Sequence, residues 1–208
     1  MGQQERLDIY DSSMVRVGSE SRAQTHAKGL WHQTFHCWVV HPSERSILLQ
    51  LRHPDKETYP GLMDVSAAGH LLTGETVRDG VRELEEELGI SVTFEELHYC
   101  GVVPQEDVIS EGLIDREFNH VFIHASDRPI EAYSFQREEI SGLYTIGVDD
   151  FKNLLTGEVE QVLVDGIFAE EASGTAKQDR RWMGLSDLTP NTHAYYDLLF
   201  EHVYRVLT

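Results

Sequence analysis

The chain has 208 residues, 40% of them apolar, and sets 17 Lys plus Arg against 36 Asp plus Glu, for a formal charge of −19. That length and composition suit one well-buried core with embellishments and exclude wholesale disorder or a fibrous class. The acidic balance disfavours long nucleic acids and anionic membranes as partners, because both are held through cationic surface.

Cys37 and Cys100 lie far apart and in no CxxC spacing, so neither a disulfide framework nor a cysteine zinc site is indicated, and a reducing cytoplasm fits. The amino terminus "MGQQERLDIYD" lacks an apolar leader, and no later run approaches the ~20 apolar residues of a membrane helix. Arg6 occupies the place where an N-myristoylation motif has Ser or Thr. The expectation is a soluble, cytoplasmic protein.

In chain order, "RLDIYD" reads as a first strand, followed by a polar segment to about Gly29. "FHCWVVH" and "SILLQLR" are β-rich runs separated by the turn-like "PSER", and so form a hairpin. The loop "HPDKETYPG" ends the second strand, since proline cannot donate to a ladder, and a strand through "MDVSAAG" follows. "TGETVRDGVRELEEELGI" predicts a helix of roughly 77–88, with Thr73 or Thr76 near its start and Gly89 as a left-handed stop. "ELHYCGVV", "FNHVFIHA" and "ISGLYTIGV" are further β-type segments, and "DDFKNLLTG" is a short helix closed by glycine. "ASGTAKQDRR" reads as a polar linker and "NTHAYYDLLFEHVYRVL" as an amphipathic closing helix with Asn191 at its N-cap. The alternation of strands and helices argues for an α/β fold.

The helix ending in "RELEEELGI" crowds four glutamates into nine residues of an already acidic chain. At ~100° per residue with Glu83 at zero, Glu86 falls at roughly −60° and Glu87 at roughly +40°, so the three share a face. Val77, Val81, Leu84 and Leu88 form an apolar stripe beside them, and Glu85 points elsewhere, toward water. A solvated acidic face is the plain reading of a Glu-rich helix. Against it, none of these three glutamates has a Lys or Arg four residues on, so the face needs a cation from elsewhere. A hard divalent ion such as Mg²⁺ or Mn²⁺ takes oxygen ligands, and a helical E-x-x-E-E aims three carboxylates at one point.

Gly69, Glu75, Arg82, Glu83, Leu84, Glu86, Glu87, Gly89 and Ile90 together resemble the Nudix box, G-x5-E-x7-R-E-U-x-E-E-x-G-U, where U is a bulky aliphatic residue. The resemblance implies an α/β/α sandwich with a mixed sheet. It further implies that Glu83, Glu86 and Glu87 bind metal, with Glu83 or Glu86 among the catalytic groups, and that the carbonyl of Ala68 or Gly69 completes the coordination. Glu75 and Arg82 would form a structural ion pair. The sequence departs from the pattern once: six residues, "TVRDGV", separate Glu75 from Arg82 instead of seven, which alters the entry to the helix.

The flanks "HAKGLWH", "LRHPDKETYPG" and "DVSAAGH" resemble type I isopentenyl diphosphate isomerase, which shares this fold, over about residues 5–125. That likeness implies that Arg52 and Lys56 hold a diphosphate and that His32 and His70, with His26 less firmly, bind a metal, which places His32 and His70 in the substrate-binding pocket. The isomerase has a cysteine directly before its Gly-His, whereas this chain has Ala68, which carries no acid or base. The R-E-x-x-E-E run is intact, so hydrolysis is expected over isomerisation. The Nudix resemblance also implies a later acidic residue as a further metal ligand or base, and "DREFNHVF" offers Glu117 for it, with Asp115, Glu106 and Asp107 as competitors. Isolated histidines are more often surface or satisfied core groups, a reading kept for His26 and His36. Arg52 could simply cap a sheet end, and Trp31, Phe35 and Trp38 pack as core or pocket wall.

The expectation from the whole is one Nudix domain over 1–208, with an N-terminal extension at 1–30 and a C-terminal linker plus helix at about 170–208. It would be a Mg²⁺- or Mn²⁺-dependent pyrophosphohydrolase acting on a small-molecule diphosphate such as a nucleoside diphosphate derivative. The alternatives are an isomerase-like enzyme or a non-catalytic ligand-binding domain. A homodimer is left open.

Overall fold

The structure is a computed structural model that describes residues 5–170 and 176–208. Strand β1 (Arg6–Tyr10) pairs antiparallel with β2 (Arg16–Ser21), and α1 (Arg22–Lys28) follows directly, capped by Ser21 and ended by Gly29 at φ 57°. The polar segment expected before Gly29 is therefore largely regular structure. Its six-residue strand and seven-residue helix carry little apolar patterning and are held by the rest of the fold.

The main sheet starts with the expected hairpin, β3 (His32–His41) and β4 (Ser46–Arg52), but these two strands pair only at Val40–Ile47 and His41–Ser46 before diverging. The short strands β5 (Met63–Asp64) and β6 (Ala67–His70) enter the divergence, β5 on β4 and β6 on β3. The single strand expected through "MDVSAAG" is thus split in two, and the divergence opens a cleft.

Beyond the glutamate helix α2 (Arg82–Leu88), strands β7 (His98–Ser110) and β8 (Leu113–Ala125) form a long hairpin, and β8 runs parallel to β3. Then come β9 (Ile140–Gly147), α3 (Val148–Thr156), β10 (Gln161–Ala169), β11 (Ala176–Gly184) and α4 (His193–Val206). The sheet order is β11-β10-β9-β4-β3-β8-β7. Sequence patterning alone assigns no strand to Gln161–Ala169. Of the expected linker "ASGTAKQDRR", residues 172–175 lie outside the described residues, and Ala176 onward is edge strand. α4 is capped by the side chain of Thr192, which accepts from the Tyr195 amide, and not by Asn191.

The alternation of each strand sorts its side chains onto two faces. Trp38, Val40, Ile47, Leu49, Val121, Ile123 and Tyr144 face α3 and α4, meeting Phe151, Leu154, Tyr195, Leu199 and Val203. Phe35, Cys37, Val39, Leu48, Phe122 and Leu143 face the other way, meeting Leu84 and Leu88 of α2. The result is an α/β/α sandwich on a mixed sheet, with one buried core on each side.

Candidate functional site

The α2 helix enters differently from the 77–88 span expected of the sequence. Asp79–Val81 is a 3-10 turn and the α-helix begins at Arg82. The tighter turn matches the segment that is one residue short, since a 3-10 turn has 3.0 residues against 3.6. Gly80 fits there because a Cβ would meet the Phe35 ring at 2.6 Å. Arg82 and Glu75 meet in spite of the shorter spacing: Arg82 Nε donates to Glu75 Oε1 at 2.9 Å, and Arg82 also donates to the His70 carbonyl at 3.0 Å. The helix stops at Gly89, φ 64°.

Leu84 and Leu88 are fully buried, which turns the E-x-x-E-E face toward the sheet divergence. Glu83, Glu86 and Glu87 all line the cleft there, a cavity of about 530 Å³ that also receives Ala68 and Gly69. Their exposures differ. Glu83 and Glu87 are each 7% exposed, whereas the Glu86 side chain is 54% exposed. Burial pushes Glu83 up to about 7 and Glu87 up to about 8, with the neighbouring glutamates adding to the effect. Glu87 Oε2 accepts from the Ala68 amide at 3.0 Å and from Gln50 Nε2 at 3.2 Å, so its position is fixed by two donors. Gly69 lies flat against the Glu83 carboxylate, where any Cβ would overlap it. The acidic face does not depend wholly on a cation from elsewhere. Arg82 lies four residues before Glu86 and bridges it at 3.2 Å, and its NH1 reaches Glu83 Oε1 at 2.6 Å, so the acidic face has partial cationic cover from its own first turn.

The β3–β8 register sets His32 opposite Glu117, and the β3–β6 register sets Thr34 opposite His70. Asp115 and Glu117, two apart on β8, share a face. With His26 from α1 these groups converge: the His26, His32 and His70 rings have centroids 5.0 to 5.2 Å apart. His26 Nε2 lies 3.3 Å from Asp115 Oδ1, His32 Nε2 lies 3.6 Å from Glu117 Oε1, and His70 Nε2 lies 3.8 Å from the same oxygen. His32 Nδ1 donates to the Leu30 carbonyl at 3.0 Å, which turns Nε2 toward Glu117. The Nε2 atoms of all three histidines and Asp115 Oδ1 are buried without a hydrogen-bond partner.

Burial alone would lower His32, but Glu117 beside it and Asp115 beyond hold it above the usual imidazole range. His70 is driven well below that range by burial and by His32. Burial and Asp115 raise Glu117; burial also opposes ionisation of Asp115, but His26 and His32 outweigh it and hold that carboxyl low.

Asp115, on sequence grounds a competitor of Glu117, and His26, on sequence grounds an ordinary histidine, both belong to this group; the signal that finds both is the i, i+2 acidic pair facing a histidine across a parallel register. His32 and His70, expected as substrate-binding groups, sit in this nitrogen and oxygen donor set. Glu106 is instead engaged by Arg116 across the β7–β8 hairpin.

Arg52 and Lys56 line the same cleft, and both are already engaged. Arg52 NH1 donates to Asp64 at 2.7 Å and the rest of its guanidinium binds the Thr58 carbonyl, while Lys56 pairs with Glu139. The loop between them and β5 holds Tyr59 at φ 49°, a left-handed conformation for a bulky residue that also lines the cleft. At the inner end His36, which burial depresses to about 4, accepts from the Tyr195 hydroxyl at 2.9 Å, and that hydroxyl accepts from Trp38 Nε1 at 3.0 Å. His36 is thus a neutral, oriented cleft residue.

A NUDIX domain model matches residues 30–200. An uncharacterized Nudix hydrolase of Clostridium acetobutylicum is 38% identical over 95% of this chain and 96% of its own length. An isopentenyl-diphosphate Delta-isomerase of Serratia proteamaculans is 31% identical over 67% of this chain and 79% of its own. Among solved structures, a crystal structure from Deinococcus radiodurans superimposes with a TM-score of 0.54 at 22% identity, over 74% of this chain and 90% of that one, a likeness of fold. Among the described residues no helix is long and apolar enough to cross a membrane.

Proposed function

The chain belongs to the Nudix family, and within it we propose that this protein is a divalent-cation-dependent pyrophosphohydrolase, cleaving the diphosphate linkage of a nucleoside diphosphate derivative or a related small molecule. The observation that carries this reading is the set of three carboxylates, Glu83, Glu86 and Glu87, on one rim of the cleft against Gly69.

The donor set fits a hard cation. All three side chains offer oxygen, and two are buried carboxylates that burial keeps partly protonated, a state that a divalent ion relieves. Glu83, Glu86 and Glu87 would hold Mg²⁺ or Mn²⁺, which would supply charge neutralisation for the phosphates and a more acidic water. As ligands, Glu87 would be held by burial and by the Ala68 and Gln50 donors, and Glu83 by burial against Gly69 and by Arg82. Glu86, facing the open cleft, is the carboxylate best placed to take a proton from an attacking water.

Arg52 and Lys56 would hold the outer phosphate by exchanging their present carboxylate partners for it, Arg through a fork and Lys as a point charge. His26, His32, His70, Asp115 and Glu117 form a second donor set, whose imidazole nitrogens suit a transition ion such as Mn²⁺ or Zn²⁺ better than Mg²⁺. The isomerase alternative is disfavoured by Ala68, since a methyl group moves no proton at the place where that chemistry would need one.

Incubating the full chain with Mg²⁺ and a panel of nucleoside diphosphate derivatives, dinucleotides and isoprenyl diphosphates, with products read by mass, tests the reading. Phosphate-terminated cleavage products support it. Interconversion without cleavage, or binding without turnover, overturns it.

A further inference from the structure

A third cluster of metal-ligating side chains lies outside the cleft, where the C-terminal helix α4 crosses β7. His98 and Cys100 come from β7 and His202 from α4, and one ligand atom of each lies within 4.8 Å of the others. His98 Nε2 and His202 Nδ1 approach to 2.7 Å across 104 positions of sequence. The pairing of β7 with β8 explains how the strand delivers its two ligands. Tyr99 pairs with Phe122 and Gly101 with Val121, so Cys100 is the extra residue of a β-bulge. A bulge re-aims side chains, and here it turns the thiol into the α3/α4 face while Tyr99 packs at a tilt against Phe122 on the other. Gly101, at φ 151°, lets the bulged strand pass close under Leu198 of α4, where an added Cβ would sit only 3.3 Å from the leucine side chain.

We propose that His98, Cys100 and His202 form a binding site for a soft or borderline transition ion of the Zn²⁺ class, which clamps α4 to the sheet. The donor set of two imidazoles and a thiolate selects such an ion and rejects Mg²⁺, which takes oxygen. Three protein ligands leave a fourth tetrahedral position for water, and the partial exposure of both histidines admits it. The fit requires little movement: the two nitrogens must part by about 0.6 Å to become neighbours around zinc. On binding, the thiol proton passes to solvent and the metal–sulfur bond replaces the S–H, while the N–H between the two imidazoles moves to the other nitrogen of its own ring, so both rings ligate as neutral imidazoles. Arg205 on the same helix opposes a cation, but Glu201 one turn earlier neutralises it. The clamp bears on the cleft indirectly, because α4 also carries Tyr195, which orients His36.

This site is independent of the hydrolase reading and is tested without measuring activity. The metal-free full chain is titrated with Co²⁺. A sulfur-to-cobalt charge-transfer band in the near ultraviolet, growing to one equivalent and lost on adding Zn²⁺, is expected, because the cleft donor sets contain no sulfur and Cys37 is completely buried in the core. Cys100→Ser should abolish the band while leaving Co²⁺ binding at the cleft, and the His202→Ala change on the half-exposed helix face should abolish it with the far-ultraviolet dichroism unchanged. Zn²⁺ should raise the thermal midpoint of the wild type by more than that of either variant. Co²⁺ binding with no charge-transfer band in the wild type, or a band that survives Cys100→Ser, overturns the proposal.

Discussion

Gly69→Ala is the smallest change that reaches the chemistry. The added methyl falls far inside 3.0 Å of the Glu83 carboxylate, and ordinary contact begins at 3.4 Å, so the carboxylate must retreat or β6 must shift. β6 is pinned by its ladder to β3, with Gly69 opposite Phe35, and Glu83 is 93% removed from solvent, so the strain goes into the carboxylate. A retreat of order 1 Å from a productive position costs about 100-fold in rate. Overpacking adds a loss of about 1–3 kcal/mol in stability. The assay is kcat at saturating Mg²⁺ on whichever diphosphate the panel selects, beside a urea melt. Activity within about threefold of wild type, with a melt showing the protein folded, would refute the reasoning that places Glu83 at the reacting centre.

Glu86→Gln should lower kcat by at least about 100-fold while leaving stability within about 0.5 kcal/mol, because its side chain is half exposed; a circular-dichroism melt and a rate measurement check both. Tyr195→Phe strands the Trp38 N–H and His36 Nδ1 in the core and should cost about 1–3 kcal/mol by urea denaturation. Leu84→Ala opens a cavity beneath the glutamates and should cost about 2–5 kcal/mol by the same method. In a chelator, Glu87 holds a proton in the folded state up to about 8 but only to 4.5 unfolded, so its contribution is full below the unfolded value and is lost as pH rises through about 8. The melting temperature of wild type relative to Glu87→Gln should therefore fall over that window, and Mg²⁺ should restore it; a parallel pair of curves would contradict the burial of that carboxylate.

What was legible in the sequence follows from where local pattern and tertiary structure agree. The α2 face was readable because Leu84 and Leu88 recur at helical spacing and Gly89 ends it, both local signals. Its entry was not, because the 3-10 turn follows from a one-residue shortening whose outcome depends on how Gly80 packs under Phe35. The strands β2 and β11 were hidden for a different reason. "RVGSES" and "AKQDRRWMG" are edge-type sequences, polar on most positions, and their extended state is imposed by partners. The long β7–β8 hairpin was similarly masked: "VVPQEDVISEGLIDRE" carries Pro104, Gly112 and many polar residues, yet alternation through Asp107, Asp115 and Glu117 is what delivers carboxylates to the cleft. The histidine cluster needed the parallel β3–β8 register, which no single-sequence pattern specifies. The His98–Cys100–His202 cluster needed a bulge and a helix crossing, and so escaped a search for cysteine spacing.

The most direct test of the central claim is hydrolysis in heavy-oxygen water with Mg²⁺, read by the mass of the products. The account predicts that one phosphate product carries a single heavy oxygen, that the label disappears with chelator, and that it disappears with Glu86→Gln. Turnover that persists in chelator, or a mass-neutral rearrangement of substrate with no label gained, would contradict it.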